Sequence, residues 1–187
     1  EDAVEAAYKA VVDAGVTIAS PPKRGPLLGV LRFYMADPDG NKIEIFNTPA
    51  LPPRPGRSVE SPGLVNVKFL SHIGIYTKDT QKSIDWYEEM LGFRVSDQRG
   101  QNPPEPALKA TAPNGIAWLS NTEEHHNLVL VQLAPDEIDE PLPYGGRGTL
   151  QQIALEIESI DALLAAHEFL AAKGAKIVVP PRPQNWS

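Results

Sequence analysis

Residues 69–97 read FLSHIGIYTKDTQKSIDWYEEMLGFRVSD, and the order of patterns inside this stretch decides the fold. SHIGIYT is a short apolar run of strand type, TQKSIDWYEEML has the spacing of an amphipathic helix, Gly92 is a helix stop, and Phe93-Arg94-Val95 begins another strand. His72 heads the first run, at a position that strand alternation aims toward a core. Two readings are open for it. It is a buried histidine satisfied by a backbone carbonyl, or it is a metal ligand whose companions lie elsewhere in the chain.

The same grammar occurs twice more. EDAVEAAYKAVVDAGVTIASPP at residues 1–22 lies over IDALLAAHEFLAAKGAKIVVPP, with Asp2 on Asp161, Ala6-Ala7 on Ala165-Ala166, Gly15 on Gly174, Ile18 on Ile177 and Pro21-Pro22 on Pro180-Pro181. The offset is constant at 174 − 15 = 159. Each copy predicts a helix, a C-terminal glycine, a short β-branched strand and a proline stop. A leading strand precedes two of the three helices, SHIGIYT before the central one and QQIALEI before the last. Two copies also continue into a strand pair. In the first, GVLRFYMA and NKIEIF flank the Asp37-Pro38-Asp39-Gly40-Asn41 turn; in the central copy the strands are NGIAWLSN and HHNLVLVQL. The repeating unit is therefore strand, helix, three strands.

These patterns predict an α+β fold of repeated βαβββ units with flanking helices, its first and last units incomplete. Residues 1–48 read as the C-terminal part of a first domain. Residues 49–66 are a proline-rich linker, and residues 67–187 form a second domain whose closing unit is truncated. Residues 134–149 read as a second, acidic connection ending in a glycine turn.

Composition narrows the chemistry. The chain has 187 residues, 19 prolines, no cysteine and a formal charge of −7. Without thiols, any metal must be held by His, Asp, Glu, Gln or water, and the absence fits a reducing cytoplasm. The acidic balance and scattered Lys and Arg argue against nucleic acid, and no apolar run is long enough for a membrane span. There is no Gly-Lys-Ser/Thr phosphate loop and no Gly-x-Ser-x-Gly nucleophile elbow. Trp86, Tyr87, Phe93 and Trp118 sit where helix and strand pack, and core is their expected role.

A duplicated strand-helix-three-strand unit with histidine on its first strand resembles the vicinal oxygen chelate superfamily, which includes glyoxalase I, bleomycin-resistance proteins and type I extradiol ring-cleaving dioxygenases. The residues that carry the resemblance are HIGIYTKDTQKSIDWYEEMLGFRVSD, DPDGNKIEIF and QQIALEIESIDALLAAHEFLAAKGAKI. LGFRVSD and the His-His pair in SNTEEHHNLVL look most like the dioxygenases. The resemblance implies that the units form an open, cup-like mixed β-sheet holding one divalent metal ion, iron(II) first, with manganese, nickel or zinc also suited, and a catechol-type aromatic and O2 as substrates. His72 matches the first-strand ligand. HIGIYT over QIALEI places Gln152 at the second ligand position, where the dioxygenases have histidine and glyoxalase-like members use glutamine.

The third family ligand is a glutamate on the last strand of the closing unit. Glu44 shows its form in the first unit, with Ile43 and Ile45 facing the other way. The counterpart in the closing unit falls at 44 + 159, so a continuation, or a partner chain lending Glu44, is needed to complete a His72–Gln152–Glu44 set. Of His125 and His126, alternation admits one to the cup. A histidine here resembles the acid/base that handles the catechol proton, with His125 inside and His126 at the surface. A homo-oligomer is expected. The rival readings are a metal-free member that sequesters an aromatic ligand and a glyoxalase-type isomerase.

Overall fold

A computed structural model describes residues 2–25, 30–47, 65, 67–104, 106–134, 137 and 149–182. Helix α1 (Asp2–Asp13) places Val4 and Val11 one above the other on its inner face. They bury against Leu31, Phe33 and Met35, the alternate residues of strand β2 (Leu31–Ala36). Tyr8 meets the Phe33 ring edge-on with centroids 5.4 Å apart. Strands β1 (Ile18–Arg24) and β3 (Lys42–Phe46) flank β2 in an antiparallel sheet of order β1-β2-β3. The stop expected at Pro21-Pro22 is not where β1 ends. The strand runs through both prolines to Arg24, because β1 is an edge strand and its register slips on either side of Ser20, so no ladder N–H is demanded of them.

The second sheet has five strands in the order β5-β6-β7-β4-β8. They are β4 (Val67–Thr77), β5 (Arg94–Arg99), β6 (Ile116–Ser120), β7 (Leu128–Gln132) and β8 (Leu150–Ile157). β4 runs parallel to β7 and antiparallel to β8, so the sheet is mixed. Between β4 and β5 lies helix α2 (Thr80–Leu91), which starts where Asp79 accepts the Lys82 N–H and ends where Gly92 takes φ 66. A residue with a Cβ would pay for that left-handed conformation, which is why glycine closes this helix. Gly15 and Gly174 close the other two copies in the same way, at φ 76 and 80.

Ile84 and Tyr87 of α2 pack on Ile75, Ala117, Leu119, Leu128 and Leu130. The opposite faces of β6 and β7 bury Ile116, Trp118, Val129 and Val131 beside Leu108 of helix α3 (Pro106–Thr111). Covered on both sides, these two strands read as continuous apolar runs rather than alternating ones.

The turn between β2 and β3 ties the two sheets together. Asp37 is 6% exposed. Its carboxylate accepts hydrogen bonds from Tyr87 Oη at 2.8 Å, Asn41 Nδ2 at 2.7 Å and the backbone N–H groups of Asp39 and Asn41. Asp39 accepts from the Lys78 N–H at 2.9 Å and Ser83 Oγ at 3.0 Å. Asn41 Oδ1 accepts from Thr149 Oγ1 at the start of β8. One five-residue turn therefore holds the C-terminal end of β4, the first turns of α2 and the entrance to β8.

Helix α4 (Ile160–Ala172) follows β8, with Ser159 as its N-cap, and none of its residues is buried. The strand expected at residues 176–179 is not formed. The equivalent β1 exists because β2 supplies its hydrogen-bond ladder. No strand among the described residues does this for 176–179, and an unpaired strand is not stable. The linker 49–66 and most of the connection 134–149 lie outside the described residues, apart from 65, 134, 137 and 149. No helix among the described residues is long and apolar enough to cross a membrane.

Candidate functional site

His72 and Gln152 come together on neighbouring strands, and register explains how. β4 and β8 pair Leu70 with Leu155, then His72 with Ala154, Ile73 with Ile153 and Gly74 with Gln152, then Ile75 with Leu150. Ser71 is the extra residue on β4 and Gln151 the extra residue on β8. Between these two bulges the ladder is displaced by one residue relative to both flanks. In the flanking register His72 would oppose Ile153, and Gln152 would project from the other face of the sheet. The compensating bulges put both side chains on one face as diagonal neighbours.

The Gln152 amide nitrogen lies 2.7 Å from His72 Nε2 and donates to that ring nitrogen, while Ser71 Oγ is 3.3 Å from His72 Nδ1. Turning the amide by 180° presents Oε1 instead, the atom that a metal would require. The His126 ring sits 4.5 Å from the His72 ring, centroid to centroid, and His126 Nδ1 lies 2.8 Å from His125 Nδ1. Four side chains thus form one cluster. His72 and His126 are half-buried and His125 is exposed.

This reverses the expected facing of the histidine pair. β7 begins at Leu128, so residues 125–127 are a bend before the strand and strict alternation does not reach them. The bend turns His126, not His125, toward His72. Glu44 is not in the cluster. It lies on β3 in the other sheet, where its Oε1 accepts from Arg32 Nη1 at 3.1 Å and from Tyr34 Oη at 2.9 Å. That hydrogen bond pushes the Tyr34 hydroxyl above its ordinary pKa. Glu44 and Phe46 do face away from Ile43 and Ile45, as alternation predicts. Among the described residues no three His, Asp or Glu side chains form a metal-binding group.

Burial shifts the two inner imidazoles. It lowers the pKa of His72 and takes His126 down to about 4, with His72 and His125 beside His126 disfavouring a further positive charge. The folded protein therefore keeps His126 neutral at a pH where the unfolded chain, with a pKa of 6.5, protonates it. Stability is full above pH 6.5 and is lost as pH falls toward 4. After discounting for solvent around a half-exposed ring, the loss is about 1–2 kcal/mol. Urea unfolding between pH 7 and 5 checks this: stability falls in the parent and falls less in His126→Gln. Equal slopes would remove His126 as the source.

Three residues here escaped the sequence pattern. Ser71, Gly74 and Gln151 set the register and the space around the pair, and Ser71 also reaches the His72 ring. A glycine inside a strand run is the one signal that pointed to them.

Known proteins resemble this chain in sequence and fold. The chain is 30% identical over 135 residues to metapyrocatechase 2 of Cupriavidus necator, an alignment covering 64% of this chain and 38% of that protein. It is 29% identical over 131 residues to an iron-dependent extradiol dioxygenase of Rhodococcus jostii (strain RHA1), covering 67% and 39%. The alignments thus span well under half of these curated relatives. Among solved structures, the 2,3-dioxygenase LapB of Pseudomonas sp. KL28 shares the fold with a TM-score of 0.68 at 17% identity, over 98% of this chain and 60% of that one. The family description Glyoxalase/Bleomycin resistance protein/Dioxygenase superfamily matches residues 1–45 and 69–187. A match that runs through the strand bearing His72 and the strand bearing Gln152 makes this chain a member of that superfamily.

Proposed function

We propose that this protein is a ring-cleaving dioxygenase of the extradiol type, acting on a catechol-like aromatic with O2, and that His72 and Gln152 hold its divalent metal ion. The observation that carries the reading is the meeting of His72 Nε2 and the Gln152 amide at 2.7 Å, beside the His126 ring. An imidazole nitrogen and an amide oxygen suit iron(II), manganese, nickel or zinc, and they fill two of the three places of a facial set. Bound there, the metal supplies Lewis-acid and redox chemistry. His126, neutral at pH 7, accepts the proton of a catechol hydroxyl, and His125 passes it to solvent across the 2.8 Å Nδ1–Nδ1 contact.

The third donor is assigned to the closing unit. Val4 and Val11 of α1 are 3% and 8% exposed, because β2 covers them. Their repeat equivalents in α4, Leu163 and Leu170, are 45% and 38% exposed. Ile153 and Leu155 of the edge strand β8 are also bare. An apolar helix face and an open strand edge of this kind fit three further strands, arranged as β1–β3 are on α1. Their last strand would carry a carboxylate equivalent to Glu44.

The test is an anaerobic iron(II) titration of the chain and of His72→Ala, followed by O2 and catechol. Stoichiometric binding lost in the variant, with ring-cleavage absorbance in the parent, is the expected result. Binding by neither protein overturns the metal reading and leaves a metal-free, aromatic-sequestering role. Gln152 favours a second reading, a glyoxalase-type isomerase, because the resemblance gives those enzymes an amide at this position. Turnover of a hemithioacetal with nickel or zinc, without catechol cleavage, would select it.

A further inference from the structure

We propose that Gly74 is a positioning residue of the site: its missing side chain is the space through which Gln152 reaches His72. Gly74 is the register partner of Gln152, and His72 lies two residues earlier on the same face of β4. Normally the side chain opposite Gln152 would stand beside it and hold it upright. Here Gln152 folds over the bare backbone of Gly74 and runs diagonally to His72 Nε2. A Cβ built on Gly74 would lie 2.7 Å from Gln152 Cγ and 2.5 Å from Gln151 Oε1. The Gln151 oxygen is the free end of a flexible side chain and can swing away. Gln152 Cγ is one bond from its own Cβ, so it moves only by changing rotamer, and the new rotamer points the amide away from His72.

The two bulges and the glycine therefore divide the work. Ser71 and Gln151 bring His72 and Gln152 to one face, and Gly74 lets the longer side chain lie down toward the shorter one. This inference rests on reading His72 and Gln152 as one site. It predicts a change of sign. In a strand interior without such a contact, Gly→Ala is stabilising, because alanine loses less backbone freedom on folding.

The experiment is a thermal cycle on the metal-free chain with Gly74→Ala, Gln152→Ala and the double variant. It is joined by a nuclear Overhauser measurement between the Gln152 side-chain amide and the His72 ring. Gly74→Ala is expected to lower Tm in the parent, raise it in the Gln152→Ala background and abolish the amide–imidazole cross-peak. A Tm change of the same sign in both backgrounds, or a cross-peak that survives, overturns the proposal. Should Gly74→Ala fail to fold, folding of the double variant still supports the proposal, and its failure too overturns it. Because no metal is present in either measurement, a failed iron titration leaves this result standing, and the converse holds as well.

Discussion

Asp37→Ala lowers stability by about 3 kcal/mol in urea unfolding. The side chain is small and lies in a turn, so the expected size comes from what it satisfies. Its carboxylate takes four hydrogen bonds, and one donor is the Tyr87 hydroxyl, buried in the core beneath α2. Burial and then the charge of Asp37 push that hydroxyl's pKa well above its ordinary value, so it remains a protonated donor throughout the working pH range. Without Asp37 it is a buried donor with its acceptor removed, which costs more than a lost surface contact. Tyr87→Phe is the cheaper change, at about 1 kcal/mol, because the carboxylate keeps three other donors. The double variant should recover part of the Asp37→Ala loss, about 1–2 kcal/mol of coupling. Should Asp37→Ala cost less than ~1 kcal/mol, the first sheet is held to α2 by something other than this turn.

Phe33→Ala costs about 3–5 kcal/mol, the range for removing a large aromatic from a packed core. Phe33 is fully buried in a cluster with Val4, Val11, Leu31 and Met35, with Tyr8 edge-on to the ring and Ile43, Ile45, Trp86 and Leu91 packed against the cluster. Side chains already packed against one another close only partly around the cavity. The loss should be local: hydrogen exchange of residues 2–46 rises toward that of an open unit while α2 and β4 stay protected. Asp37 and Asp39 hold the first sheet by polar contacts in one turn, and Ile43, Trp86 and Leu91 add only a partly buried apolar seam, so the first sheet loses protection before the second. Uniform loss of protection would instead show one cooperative unit.

Much of the fold is legible in the sequence because its signals are local. Gly15, Gly92 and Gly174 close helices by a conformation that other residues resist, and the Asp37–Asn41 turn announces its hairpin. His72 stands out as a polar residue in an apolar strand, and Gln152 follows by laying one leading strand over the other. The rest depends on pairing between distant segments. Ser71 and Gln151 are ordinary residues, and nothing in their composition marks them as bulges; only the β4–β8 ladder reveals that they bring His72 and Gln152 to one face. Strand alternation begins only at Leu128, so it does not set the faces of His125 and His126. Residues 176–179 have strand composition but no neighbouring strand among the described residues to bond. The Asp37 turn is readable as a turn, whereas its hold on Tyr87, 50 residues away, belongs to tertiary structure.

The placement of β4 between β7 and β8 also sets an order of assembly. Its partner on one side begins at Leu128, and on the other side Gln152 meets His72 across 80 residues of chain. At ribosomal speeds of about 5–20 residues per second, that interval is roughly 4–16 s during which the strand bearing His72 has left the tunnel without the strand bearing Gln152. Contacts of such long sequence range are also the slow step of refolding in vitro. During that interval the edge of β4 that receives β8 is open even once β7 is in place, so the yield should depend on chaperone supply and translation rate before it depends on the stability of the finished fold.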